Sequence, residues 1–186
     1  MDKNEKNWLD VFQDEFSKES DRACVIVSAT MLDNALETLL RTYVVPIGSQ
    51  EDGLFEGSYA PISTFSAKID LAHRIGLIST KLCRDLHIVR RIRNEFAHNV
   101  TGCDFNNQSI SDRIAELKRS MVISKGFSVA RQSLPKGPRG DFQWLIAWIL
   151  IDLKNSTDKV TSLKPKGEER ILYEKLPSEE GGSSSD

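Results

Sequence analysis

Apolar residues recur at helical spacing along most of the chain, and this pattern predicts an all-α helical bundle of about five to seven helices. The longest segment with this pattern runs from Ser20 to about Tyr43 and carries no charge between Arg22 and Asp33, so we expect it to be largely buried. Shorter segments follow on both sides, and strand signals are scarce. The predicted apolar faces of the first three segments are Trp8, Phe12 and Phe16; Val25, Ser28, Leu32, Leu36, Leu39 and Tyr43; and Phe65, Ile69 and Ala72.

Small polar residues and glycines mark the expected helix ends. Ser63 or Thr64 can cap the short helix that Gly76 ends, and Ser79 can cap the helix after it. On that next helix Leu82, Leu86, Val89, Arg93 and Phe96 share one face at about 100° per residue. A further helix is expected to start at Ser109 or Ser111, with Ile110, Ile114 and Leu117 as its apolar edge. The loop from Gly48 to Ile62 is interpreted either as an ordered flap or as a mobile connection.

The segment from Phe142 to Ile151 is apolar on nearly every side and predicts a helix that is central in the core or seals a subunit interface. The stretch 135–140, rich in proline and glycine, breaks the chain before it. After it, lysines, glutamates and serines offer little to bury. We therefore predict one helical-bundle domain over residues 1–155 and a disordered polar tail over 156–186.

Composition narrows the class of protein. The 186 residues are 39% hydrophobic and 28% charged with a net charge of −2, which is ordinary for a globular domain and excludes a chain that is basic throughout. The start of the chain is too charged for a secretory signal, and no apolar run is expected to reach the length of a membrane span. A cytoplasmic protein without membrane contact is predicted.

Cysteines and histidines form no recognisable ligand motif. Cys24, Cys83 and Cys103 are widely spaced and fit no zinc pattern, so they are interpreted as reduced thiols. His73 and His87 are interpreted as surface or half-buried helix residues without a role. Neither a metal site nor a cofactor is predicted.

The strongest functional signal is the segment Arg90–His98, which places three arginines, an asparagine and a histidine in just over two helical turns. Seven basic residues stand against three acidic ones between Lys68 and His98, a surplus that suits a phosphate backbone. The chemistry indicated is metal-independent RNA cleavage, with His98 moving protons, Arg93 stabilising phosphorane charge and Asn94 orienting either group. Arg90 and Arg91 would bind the nucleic acid.

Purely structural roles for Arg93 and His98 are also possible. Arg93 can form a buried salt bridge with Asp21, Asp33 or Glu37, and His98 can cap the helix, where the dipole favours a cation. Five helical steps also place Arg93 and His98 about 140° apart on a straight helix. Either the helix ends near residue 97, or the site is shared across a two-fold axis.

Short motifs in the chain resemble two known families. Glu19-Ser20-Asp21-Arg22 before a long apolar helix, residues 63–77, and the sequence from Arg93 to His98 resemble the mannitol operon repressor (MltR-like) family over roughly residues 15–120. Arg93-Asn94-x-x-x-His98 is similar to the arginine–histidine motif of HEPN domains. That resemblance implies a small, usually dimeric helical ribonuclease of a toxin–antitoxin, antiviral or RNA-processing system.

The leading hypothesis is therefore an HEPN-like homodimer that binds or cleaves RNA through Arg93, Asn94 and His98. The alternative is an MltR-like regulator, a repressor or co-repressor that works through protein contacts, because no basic recognition helix of a helix-turn-helix is evident. A third possibility is a catalytically silent antitoxin or scaffold. The protein partner would be an antitoxin or a transcription factor.

Overall fold

The computed structural model describes residues 19–48, 52–99, 102–120 and 136–165, and all regular secondary structure within these ranges is helical. The five helices are α1 (Asp21–Tyr43), α2 (Phe65–Arg74), α3 (Thr80–His98), α4 (Gln108–Ser120) and α5 (Pro138–Lys159). The all-α prediction is confirmed. The expected aromatic helix at Trp8, Phe12 and Phe16 lies outside the described residues.

Side-chain caps fix where the helices begin. The hydroxyl oxygens of Ser20, Thr64 and Ser79 each accept a hydrogen bond from the backbone N–H three residues later, at 3.1, 3.2 and 3.1 Å. Thr64 rather than Ser63 is thus the cap of α2. α4 starts slightly before the predicted serines, and the amide oxygen of Asn107 accepts the N–H of Ser109. These caps satisfy N–H groups that a helix leaves unpaired in its first turn.

Helices α1 and α5 run parallel through the centre of the bundle. Near their starts Arg139 forms an ion pair with Asp21, and the side-chain amide of Gln143 contacts the Cys24 sulfur at 3.7 Å. Beyond their ends the N–H of Leu163 donates to the carbonyl of Tyr43 at 2.7 Å. The two helices therefore stay in register over their whole length, and around them α1 packs on α2 and α3, while α4 packs on α3 and α5.

The thiol of Cys24 lies in this core. It is fully buried, and burial raises its pKa to about 11, so the group is a neutral thiol at physiological pH. Cys83 and Cys103 are half-buried, and all three cysteines are free. The prediction of reduced thiols agrees with this arrangement.

Helix α5 is buried on almost every side within a single chain. Its buried residues are Gly140, Phe142, Gln143, Trp144, Leu145, Ile146, Ala147, Ile149, Leu150 and Leu153. Of the two interpretations of this apolar segment, the central core position is the one observed. The segment is covered by its own chain, so its apolar character no longer argues for a subunit interface.

The ends of α5 differ from the sequence boundaries. The helix begins at Pro138, inside the stretch expected to be a break, because a proline in the first turn gives up an N–H that has no partner there. It continues past residue 155, where the hydroxyls of Ser156 and Thr157 bond to carbonyls one turn earlier. Residues 156–165 thus belong to the folded part, and the disorder predicted for 166–186 lies outside the described residues.

Helix α1 is the one helix among the described residues that is long and apolar enough to cross a membrane. The expectation that no segment reaches this length is corrected, because the two charged residues between Ala23 and Leu40 are too few to lower its mean hydropathy. Its apolar side is nevertheless the core of the bundle: Cys24, Val25, Ser28, Ala29, Leu32, Leu36, Leu39 and Leu40 are buried. This is the burial of a core helix in a globular protein.

A network of ion pairs joins α1, α2 and the loop after α1, and we call it the α1–α2 charge cluster: Asp33, Glu37, Arg41, Asp52, Glu56 and Lys68. The ammonium of Lys68, with a side chain only 5% exposed, lies 2.8 Å from Asp33 and 2.6 Å from Glu37. The guanidinium of Arg41 binds Glu37, and its remaining nitrogens bind Asp52 and Glu56 at 2.9 and 2.8 Å. Every cation of the cluster has at least two carboxylate partners.

Arg41 also holds the loop that follows α1 against the bundle. Arg41 stacks over the ring of Phe55 at 4.4 Å from its centroid, and Phe55 is itself buried against the core. Of the two interpretations of the loop Gly48–Ile62, the ordered flap is therefore observed over residues 52–62.

Candidate functional site

Helix α3 carries all the predicted site residues and is held on three sides by α1, α2 and α4. Its buried residues are Asp85, Leu86, Ile88, Val89, Ile92 and Phe96. Leu82 and Arg93, which the helical wheel placed in the apolar stripe, are only half-buried. Contact with three neighbouring helices widens the buried sector beyond a single stripe, so Ile88 and Ile92 are buried as well.

The guanidinium of Arg93 lies beside the next residue. Its Nη1 donates a hydrogen bond to the Oδ1 of Asn94 at 3.0 Å, so the structure brings these two predicted site residues together. The carboxylates considered as salt-bridge partners of Arg93 bind other cations instead: Asp21 binds Arg139, and Asp33 and Glu37 bind Lys68. The buried salt bridge proposed as the bland alternative for Arg93 does not form.

Arg90 and Arg91 likewise have no acidic partner among the residues that the structure describes. Arg90 is half-buried, and its Nε atom is inaccessible to solvent and has no hydrogen-bond partner among the described residues. Arg91 is exposed. Within the described part of the chain, no carboxylate forms an ion pair with Arg90, Arg91 or Arg93, which we call the α3 arginine face. On about one turn of helix these three cations span roughly 160° of its circumference, with Arg90 between Arg91 and Arg93.

The C-terminal end of α3 is capped by a side chain from another helix. The guanidinium of Arg22, from the first turn of α1, donates to the backbone carbonyls of Phe96 and Asn99. These are carbonyls that the helix itself leaves without donors, and the negative end of the helix dipole favours a cation there. His98, the sequence candidate for this role, is the last helical residue and is exposed.

The angle around the helix axis separates His98 from Arg93, whereas Asn94, four residues before His98, lies on the same side of α3 as His98. Because α3 is helical through His98, five steps of about 100° place Arg93 and His98 on different sides of it. The alternative in which the helix ends near residue 97 is not observed. A site that uses both residues would need a second copy of the chain, and this composite arrangement stays a prediction.

Sequence reasoning missed the partners that position this segment. Glu95, inside the motif, forms an ion pair with Arg113 of α4 and accepts a hydrogen bond from the hydroxyl of Ser109 at 3.2 Å. Arg22 and Arg113 were visible only as ordinary helix residues, because their contacts bridge 74 and 18 positions of sequence. Glu95, four residues after Arg91, is thereby bound by Arg113 and Ser109 and forms no ion pair with Arg91.

Comparison with known proteins relates the fold to one solved structure. The sequence matches no protein-family model and no curated protein. The fold is similar to a chain in the X-ray structure of the MtlR–HPr complex from Escherichia coli, with a TM-score of 0.57. The two chains are 13% identical, and the match covers 80% of this chain and 99% of that one. At this identity the likeness is one of fold, and it places the chain among proteins built like the mannitol operon regulator MtlR.

Proposed function

We propose that this chain is an MltR-like regulator that acts by binding another protein, and that the α3 arginine face belongs to its contact surface. The observation that carries the proposal is the fold shared with a chain from a complex between MtlR and HPr, over nearly the full length of that chain. Fold alone does not specify a function. The partner is therefore inferred by analogy, and an HPr-type protein is the first one to test.

The α3 arginine face suits such a contact. Arg90 and Arg93 lie three residues apart, and like charges at this spacing destabilise a helix slightly. Arg91 adds a third cation, which is exposed to solvent. Guanidinium groups bind carboxylates through two parallel hydrogen bonds, so an acidic surface on a partner would relieve the repulsion and fix an orientation. In a chain of net charge −2, a local cationic face also steers an acidic partner to one place.

The experiment is calorimetric titration of the chain with the HPr protein of the same organism. Arg91→Glu should weaken binding at least tenfold, since it replaces attraction by repulsion at an exposed position without internal contacts. Arg74→Glu, at an arginine of α2 that is also exposed, is the matched control and should bind like wild type. Failure of wild type to bind at about hundred-micromolar concentration would remove the HPr-type partner. Equal binding by both variants would remove the arginine face.

RNA binding or metal-independent RNA cleavage is a second candidate function, supported by the same arginines without acidic partners. In this function His98 transfers protons, Arg93 and Asn94 hold the phosphate, and Arg90 and Arg91 bind the backbone. A homodimer would be required, because Arg93 and His98 diverge within one chain.

Two measurements separate this candidate from the first. Light scattering should give about twice the chain mass of 20.9 kDa, as the composite site demands. His98→Ala should slow cleavage of single-stranded RNA in EDTA by about a hundredfold, while His73→Ala should not. A monomer, or equal rates for wild type and His98→Ala, would reject the RNA-cleavage candidate, and the regulatory proposal would remain.

A further inference from the structure

Three potential metal ligands of different chemistry meet where α2 packs on α3. A carboxylate oxygen of Asp70, the thiol sulfur of Cys83 and an imidazole nitrogen of His87 all lie within 4.8 Å of one another. The Nε2 of His87 is 3.0 Å from the Oδ1 of Asp70. Among the described residues, no hydrogen bond or ion pair joins these three side chains to the α3 arginine face, although His87 lies one helical turn before Arg90 and Arg91.

The fold brings these residues together from separate segments. Cys83 and His87 are four residues apart on α3, so their side chains lie one above the other on the same face. Asp70 approaches them from α2. The His87 side chain is 20% exposed and that of Asp70 is 63% exposed, so the cluster is shielded by the helices yet open on the Asp70 side. An ion can enter from solvent without unfolding either helix.

We propose that Asp70, Cys83 and His87 form a Zn²⁺ site with three protein ligands and a solvent molecule in the fourth position. Thiolate, imidazole and carboxylate are the three side-chain donors that zinc uses, and Mg²⁺ and Ca²⁺ prefer all-oxygen sets. In a tetrahedral site with bonds of about 2.0–2.3 Å, two ligand atoms lie about 3.3–3.8 Å apart. The ligand atoms, which all lie within 4.8 Å of one another, would therefore have to close by up to about 1 Å through side-chain rotation as the ion binds.

Binding has a simple proton balance. Burial, together with the negative charge of Asp70, raises the pKa of the Cys83 thiol, so without metal the group is neutral. Zinc replaces the thiol proton, which passes to solvent. The Nε2–H of His87 that donates to Asp70 is also given up: the ring proton moves through solvent to Nδ1, which leaves the Nε2 lone pair for the ion. Sulfur, nitrogen and oxygen then share one cation, and α2 is tied to the helix that carries the arginines.

Cobalt is a suitable probe, because it occupies zinc sites and its bond to a thiolate gives a near-ultraviolet charge-transfer band. The purified full chain, first treated with EDTA, should develop this band with one equivalent of Co²⁺ and lose it on addition of Zn²⁺. Cys83→Ser should abolish the band, while Cys103→Ser, which changes a cysteine of similar exposure outside the cluster, should keep it. The absence of a band in wild type, or its persistence in Cys83→Ser, would overturn the proposal.

Thermal melting supplies a readout that does not depend on the probe. One equivalent of Zn²⁺ should raise the Tm of wild type, since an ion that binds only the folded chain stabilises it, and Mg²⁺ should not. His87→Ala should weaken zinc binding at least tenfold, while His73→Ala, one turn from Asp70 but bonded to Thr80, should not. An equal effect of zinc on the Tm of all variants would place the ion elsewhere and reject the site. Circular dichroism confirms that each variant is folded before it is scored.

Discussion

The α1–α2 charge cluster and the α3 arginine face both carry basic side chains on helices. The two regions differ in whether these cations have carboxylate partners. Lys68 and Arg41 are each bound by two or more carboxylates. Arg90 and Arg93 have no carboxylate partner among the described residues, although Arg90 contributes a buried nitrogen. Charges that a protein compensates internally contribute to its stability, whereas charges that it leaves uncompensated are available to a partner.

The cost of removing a charge should therefore differ between the two regions. A buried cation between two carboxylates cannot be deleted without leaving like charges together in a poorly solvated place. An arginine whose Nε has no partner already lacks that hydrogen bond in the folded state. Three measurements test this comparison.

Lys68→Met should give the largest effect, a loss of roughly 3 kcal/mol in the free energy of unfolding, at the lower end for a broken buried pair because Asp33 and Glu37 keep some solvent contact. Urea denaturation followed by circular dichroism measures it. Lys81→Met, at an exposed lysine of α3, is the control and should change stability by no more than about 0.5 kcal/mol. Equal losses for both variants would show that the cluster is a surface feature.

Acidification should weaken the same cluster. Burial alone would raise the pKa of Glu37, but hydrogen bonds from Lys68 and Arg41 outweigh it and lower the pKa below its ordinary value of 4.5. Because the pKa is lower in the folded chain, ionised Glu37 stabilises the protein at pH values above about 4.5, and this contribution is lost as the pH falls below that value. Urea midpoints measured between about pH 6 and pH 3 should fall more steeply for wild type than for Lys68→Met. Parallel curves would contradict the role given to Glu37.

Arg90→Met should have the smallest effect. Methionine keeps most of the buried aliphatic stem and removes a guanidinium whose Nε has no partner, so the free energy of unfolding should stay within about 0.5 kcal/mol or rise slightly. The measurement is the same denaturation series. A loss above about 2 kcal/mol would mean that Arg90 holds the fold, and the contrast between the two regions would disappear.

The helices could be predicted because their signals are local. The caps at Ser20, Thr64 and Ser79 and the long apolar face of α1 are read from residues within a few positions of each other. The start of α5 was harder, since Pro138 serves both as a breaker and as a first-turn residue. Whether α5 was core or interface depended on which helices would surround it, and no local pattern contains that information.

The site was less predictable because it depends on contacts between residues that are distant in the sequence. Asp21, Asp33 and Glu37 do not pair with Arg93 because Arg139 and Lys68 lie closer to them, which is a property of the packed chain. The Asp70, Cys83 and His87 cluster was missed because metal-site motifs were sought as short sequence patterns, whereas one ligand comes from α2 and two from α3. The spacing of Cys83 and His87 at i, i+4 was the signal that could have found it.

The parallel register of α1 and α5 sets an order of events during synthesis. Asp21 and Glu19 both bind Arg139, which follows them by 118 and 120 positions. At about 5–20 residues per second, the ribosome needs on the order of ten seconds to deliver that partner. Throughout this interval the nascent chain holds the 23-residue segment of α1 without α5, so the part of its apolar side that α5 covers stays exposed even after α2 and α3 have been made. Truncation before α5 should therefore yield an aggregating chain rather than a smaller folded one.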